Sequence, residues 1–165
     1  MSWVVLDENN TRELPPKERL EKYRNILKNE ADSSKRWDAV WLTGELAREM
    51  SSEPLFDKAA DLMSWVLEND DDGVVKHEAC YQILACDMRK KIPDLLKAGL
   101  TNKSALTRHE ALECLAAMDA FEVKDKIEKA LNDPVPYVVE TAMCSIKRLE
   151  RMKNRKEEFY VSEVI

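Results

Sequence analysis

At 165 residues, with 44% hydrophobic and 35% charged side chains, the chain is long enough to bury its own core and too apolar to stay disordered. Its net charge of −6 argues against a nucleic-acid partner, whose usual footprint is a basic excess, and no apolar run approaches the length of a membrane span. Three glycines and little apolar–polar alternation leave helices to carry an all-α fold.

Residues 1–13 hold Trp3, Val4, Val5 and Leu6, without the basic n-region or long apolar run of a secretory signal, and read as an N-terminal extension. Pro15-Pro16 can open a helix over 16–29, whose Leu20, Tyr23, Ile26 and Leu27 share one face. A second helix is expected over 34–50. The pattern then repeats: 55–69 (Leu62, Met63, Val66, Leu67) with 74–89, 92–100 (Leu95, Leu96, Leu100) with 105–118, and 123–131 (Ile127, Ala130, Leu131) with 135–153. Asp70-Asp71-Asp72-Gly73, Asn102 to Ser104 and Asp133-Pro134-Val135-Pro136 break the chain between helices, and their polar side chains can each cap the next helix. The Lys/Arg-rich stretch 147–156 is mixed with Glu150 and followed by Glu157 and Glu158, so it reads as a solvated helix end, with a C-terminal tail over 154–165. That tail carries Phe159, Tyr160, Val161, Val164 and Ile165, apolar enough to cap the stack or meet a second chain. Cys80, Cys86, Cys114 and Cys144 form no CxxC pair; they read as small buried side chains in a reducing, cytoplasmic setting.

One short register recurs four times: Arg36-Trp37-Asp38-Ala39, Lys76-His77-Glu78-Ala79, Arg108-His109-Glu110-Ala111 and Val139-Glu140-Thr141-Ala142. Its alanines follow one another at 40, 32 and 31 residues, an interval that suits two helices and two turns. Each register opens the second helix of a hairpin. The segment 132–138, Asn-Asp-Pro-Val-Pro-Tyr-Val, resembles the signature turn of HEAT-like repeats, including those of the phycobilin lyase type. The expected architecture is an α-solenoid of about four HEAT-like helical hairpins over 14–153.

The chain has two histidines, and both occupy the same register position in the two central repeats. Neighbouring helices in a stack lie roughly 8–10 Å apart, so His77 and His109 should share one surface with Glu78 and Glu110 beside them. Two imidazoles and one or two carboxylates make the ligand set of a non-haem iron centre with open positions; zinc or manganese also suits it. The plain alternative is a pair of solvated His-Glu dipeptides copied by repeat duplication. Against that, repeats one and four carry Trp37-Asp38 and Glu140-Thr141 instead, which confines the pair to the middle of the stack. Glu45 and Glu113 could add carboxylates but default to solvated faces. Cys80, three residues beyond His77, reads as core filling before ligand, and Trp65, Met88, Met118 and Met143 read as core. No phosphate loop, Ser-His-Asp pattern or HExxH motif is present.

Val75-Lys76-His77-Glu78-Ala79 and Thr107-Arg108-His109-Glu110-Ala111, in the second and third of four repeats, resemble one half of deoxyhypusine hydroxylase. Enzymes of that family have two such halves, each with two His-Glu motifs. The resemblance spans roughly residues 34–150. It implies a di-iron centre that activates dioxygen, with His77, Glu78, His109 and Glu110 as metal ligands, and a protein substrate with a cationic side chain. Since this chain supplies one half of the motifs, the resemblance implies a homodimer that completes the site. The alternative function is a non-enzymatic HEAT-repeat adaptor that binds a protein partner on a concave surface.

Overall fold

The computed structural model describes the backbone of residues 8–50 and 54–162, and side chains as far as residue 155. The apolar residues noted at both ends, Trp3 to Leu6 and the side chains from Phe159 to Ile165, fall outside that set. The described residues are helical: α1 (Glu8–Arg12), α2 (Pro16–Asn29), α3 (Ser33–Glu49), α4 (Leu55–Asn69), α5 (Gly73–Ala85), α6 (Ile92–Thr101), α7 (Ala105–Ala117), α8 (Lys124–Ile127) and α9 (Pro136–Ser162). None is long and apolar enough to cross a membrane.

The helices pair as hairpins, α2 with α3, α4 with α5, α6 with α7 and α8 with α9. They stack in two layers. First helices touch first helices, from α2 through α4 and α6 to α8, and second helices touch second helices, from α3 through α5 and α7 to α9. This is the solenoid of helical hairpins that the recurring register predicts. Its core lies between the layers. The four register alanines, Ala39, Ala79, Ala111 and Ala142, are completely buried. Leu20, Tyr23, Met63, Leu95 and Ile127 of the first layer and Leu42, Leu46, Ile83, Leu112, Leu115 and Leu149 of the second are buried with them.

The basic residue that opens the register turns out to be a strap. Arg36 reaches forward to Asp70 in the turn of the next repeat at 2.8 and 3.1 Å, and its Nη1 donates to the carbonyls of Glu30 and Ala31 in its own turn. Arg108 repeats the arrangement with Asp133 at 2.6 and 2.8 Å and with the carbonyls of Asn102 and Lys103. The first pair is buried and the second largely so, and each arginine also satisfies carbonyls of the turn between two helices. At the middle junction Lys76 and Asn102 take the two places, and Asn102 Nδ2 donates to the Leu67 carbonyl instead.

Three boundaries differ from expectation. The helix expected over 74–89 ends at Ala85, because Asp87 takes a left-handed φ of 48° and Met88 N–H bonds back to the Ile83 carbonyl at 2.9 Å. The segment expected as one helix over 123–131 is α8 followed by a 3₁₀ stretch, Glu128–Asn132. The last helix, expected to stop at 153, runs on to Ser162, through Arg155, Lys156, Glu157 and Glu158, which favour a helix, and with no Gly or Pro to end it.

Candidate metal centre

Side-chain caps fix where both His-Glu pairs begin. Asp72 accepts from the N–H groups of Val74 and Val75 at the start of α5, and Ser104 accepts from Thr107 N–H at the start of α7. His77 and His109 therefore sit early in parallel, neighbouring helices of the second layer. From there each histidine reaches into the next repeat. His77 Nε2 stands 3.0 Å from Glu110 Oε2 on α7. His109 Nδ1 stands 2.6 Å from Thr141 Oγ1 on α9. In register terms these are one contact made twice: a histidine meets the residue one place beyond its own counterpart in the following hairpin, which is Glu110 in one case and Thr141 in the other.

His109 is also the hub of a second group. Its Nε2 lies 3.5 Å from Glu113 Oε2, one turn further along α7. One ligand atom from each of His109, Glu110 and Glu113 falls within 4.8 Å of the others. Of the four expected ligands, His109 and Glu110 belong to this group, and His77 of the adjacent helix is linked to it through its contact with Glu110. Imidazole nitrogen with carboxylate oxygen is the donor set that borderline divalent ions such as iron, manganese and zinc accept, so the residues present fit such an ion.

Glu78, the fourth expected ligand, is placed differently. It is buried, and its Oε1 accepts from Gln82 Nε2 at 2.7 Å. Gln82, fully buried, accepts in turn from Arg48 Nη1 at 2.8 Å through Oε1. This relay needs Gly44, since a methyl at that position of α3 would overlap the Gln82 side chain. Cys114 holds the position in repeat three that Gln82 holds in repeat two, and its thiol makes only a long contact of 3.4 Å to Glu110 Oε1. Glu110 is thus left to His77, while Glu78 is tethered to its own helix.

Of the four cysteines expected to be buried, Cys80 and Cys114 are, whereas Cys86 is half-buried and Cys144 exposed. Burial first, and then the neighbouring Glu110 carboxylate, pushes the Cys80 thiol well above its usual range. Burial and the nearby Cys80 and Glu110 do the same to Cys114. Both stay protonated and act as small apolar side chains. Glu45 is also accounted for elsewhere: Arg12 of α1 grips it at 2.8 and 3.0 Å and holds its carboxyl below the usual carboxylate range.

Next to His109 a cavity of about 440 Å³ opens between α7 and α9, walled by Glu113, Tyr137, Glu140, Thr141 and Arg148. The Tyr137 ring meets the His109 ring edge-on at 5.8 Å and 76°. The cavity walls combine two carboxylates, one guanidinium and an aromatic ring. Thr141, Gln82 and Gly44 carry no chemical signature of their own. Glu113 could be found from the sequence as the residue four beyond His109 on the same helix face.

Known proteins align with this arrangement. The sequence profile of HEAT repeats matches residues 59–146. Deoxyhypusine hydroxylase of Danio rerio is 35% identical over 103 residues, which cover 60% of this chain and 33% of that protein. The Homo sapiens enzyme is 32% identical over 91 residues, 53% of this chain and 30% of its own length. The Saccharomyces cerevisiae enzyme is 29% identical over 138 residues, 79% of this chain and 42% of its own. The chain therefore spans well under half the length of these relatives. Human deoxyhypusine hydroxylase, in a structure with glycerol, superposes with a TM-score of 0.69 at 24% identity, over 86% of this chain and 46% of that one, which is a likeness of fold.

Proposed function

We propose that this chain, which belongs to the HEAT repeat family, is an oxygenase-like metalloprotein similar to one half of deoxyhypusine hydroxylase. The observation that carries the reading is that Glu110 meets His77 of the neighbouring helix at 3.0 Å and also groups with His109 and Glu113 of its own. His77, His109 and Glu110 would hold iron. Glu78 keeps one carboxylate oxygen for Gln82 and has the other to offer. Iron, when bound, would supply the dioxygen activation that no side chain here provides.

The chain's own residues do the rest. Glu113 and Glu140 draw a cationic side chain into the cavity, and the Tyr137 ring offers its face to an ammonium group. Gln82 keeps the Glu78 carboxylate from swinging into solvent. A second copy of the chain, facing the first, would bring a matching set of ligands and complete a two-metal site. Tyr81, one turn beyond His77, and Tyr137 are exposed beside the centre, and the facing protomer would cover them.

The test is iron analysis of the purified protein together with its solution mass, for the wild type and for His77→Ala and His109→Ala. The expected result is bound iron in a dimeric wild type and its loss in both variants. Wild-type protein that remains metal-free after aerobic iron loading would end the proposal. A HEAT-repeat adaptor would remain, and in that case both alanine variants would bind the partner protein as the wild type does.

A further inference from the structure

We infer that Thr141 is a positioning residue that decides which ring nitrogen of His109 carries the proton, and so leaves Nε2 bare for a cation. The consequence for metal binding rests on the proposed metal centre; the assignment of the proton does not.

A hydroxyl group has one proton to give and lone pairs to accept with. Thr141 Oγ1 lies 2.8 Å from the Tyr137 carbonyl oxygen, one turn back on α9. A carbonyl can only accept, so the hydroxyl proton goes there. What Thr141 then presents to His109 Nδ1, at 2.6 Å, is a lone pair. At that distance Nδ1 must be the donor. A neutral imidazole protonated at Nδ1 has its lone pair on Nε2. That lone pair faces Glu113 Oε2 at 3.5 Å, inside the group formed by His109, Glu110 and Glu113. Two electron-rich atoms aimed at one point need a positive charge between them, either a proton on Nε2 or a metal ion.

The other histidine is oriented differently. At the same rung of the stack His77 uses Nε2 toward Glu110, whereas His109 uses Nδ1 toward Thr141. The His109 ring is turned the other way round, which swings its Nε2 back toward its own helix and the carboxylate there. The perpendicular contact with the Tyr137 ring supports that orientation. Ligating histidines commonly donate their second ring N–H to a fixed acceptor, and losing that acceptor typically weakens metal binding by about 10–100-fold. Repeat four carries Thr141 where repeats two and three carry Glu, so the acceptor here is neutral and directional.

The tautomer is measurable in metal-free protein. Two-bond ¹⁵N–¹H correlation spectra near pH 8 separate Nδ1–H from Nε2–H imidazole, and His77→Gln assigns the remaining pattern to His109. Wild type, Thr141→Ser and the control Thr101→Val are expected to show protonated Nδ1. Thr101 is a fitting control because its hydroxyl also bonds the carbonyl one turn back, in α6 of the other layer. Thr141→Val should shift His109 toward Nε2–H and weaken Co(II) binding about 10-fold or more, with Thr141→Ser close to wild type. Wild-type His109 protonated at Nε2, or a Thr141→Val spectrum unchanged from wild type, would overturn the inference. The wild-type spectrum decides it even should Thr141→Val fold poorly. A wild type that shows the Nδ1–H form but takes up no Co(II) leaves the inference standing and removes the metal reading.

Discussion

A single hydrogen atom at residue 44 sets how closely α3 and α5 approach, and through Gln82 it settles where a buried carboxylate points. Gly→Ala inside a helix ordinarily stabilises by about 0.5–1 kcal/mol, because the unfolded chain loses freedom. Here the methyl must displace Gln82 and strand Glu78, so Gly44→Ala is expected to destabilise by about 1–3 kcal/mol in denaturant titrations. With Gln82→Ala in place the clash is gone, and the same change should then stabilise; an unchanged sign would refute the relay. His77, His109 and Glu110 stood out in the sequence because histidine is scarce here and falls twice in the same register slot. Gln82 and Thr141 did not. The role of Thr141 depends on the offset of one position between stacked helices, and that of Gln82 on its reach to Glu78 and to Arg48 of α3; a repeat alignment supplies neither.

Helix termination is where expectation and structure part. The φ of 48° at Asp87 is a conformation that glycine adopts freely and that aspartate tolerates better than most residues. Asp87→Gly should therefore raise thermal stability by about 0.5–1 kcal/mol, and Asp87→Ala should lower it; calorimetry of the two variants checks both signs. The carboxylate's contact with Arg89, 3.8 Å and exposed, is too weak to reverse that order. Helix faces were legible from the three- and four-residue spacing of Leu, Val, Ile and Met, and α2 and α4 begin and end where that spacing does. The end of α5 was hidden because no glycine marks it. The 3₁₀ stretch after α8 was hidden as well, since apolar spacing alone does not separate it from an α-helical turn.

Across the whole molecule the buried straps tie each outer junction, Arg36 to Asp70 and Arg108 to Asp133, and their strength has a pH signature. The Arg108 guanidinium, ahead of a hydrogen bond from Val135 N–H, holds the Asp133 carboxyl below the usual carboxylate range. The folded state therefore binds fewer protons than the unfolded chain, in which an aspartate titrates near 3.9. The strap's contribution is complete above about pH 4 and is lost as pH falls through the lowered folded value. Asp133→Asn should cost about 3 kcal/mol at neutral pH and flatten the decline of melting temperature below pH 4, as melting curves from pH 2 to 7 would register. A variant that melts in parallel with wild type throughout that range would contradict the assignment.

The forward reach of each histidine gives the array a direction, since every rung is finished by the helix that comes after it. A fragment trimmed at residue 132 would keep both His-Glu dipeptides in print, and a motif scan would score it as whole. In three dimensions its His109 would have lost Thr141 and the edge of Tyr137. The fourth hairpin, itself without a His-Glu pair, is thus the keystone of the third.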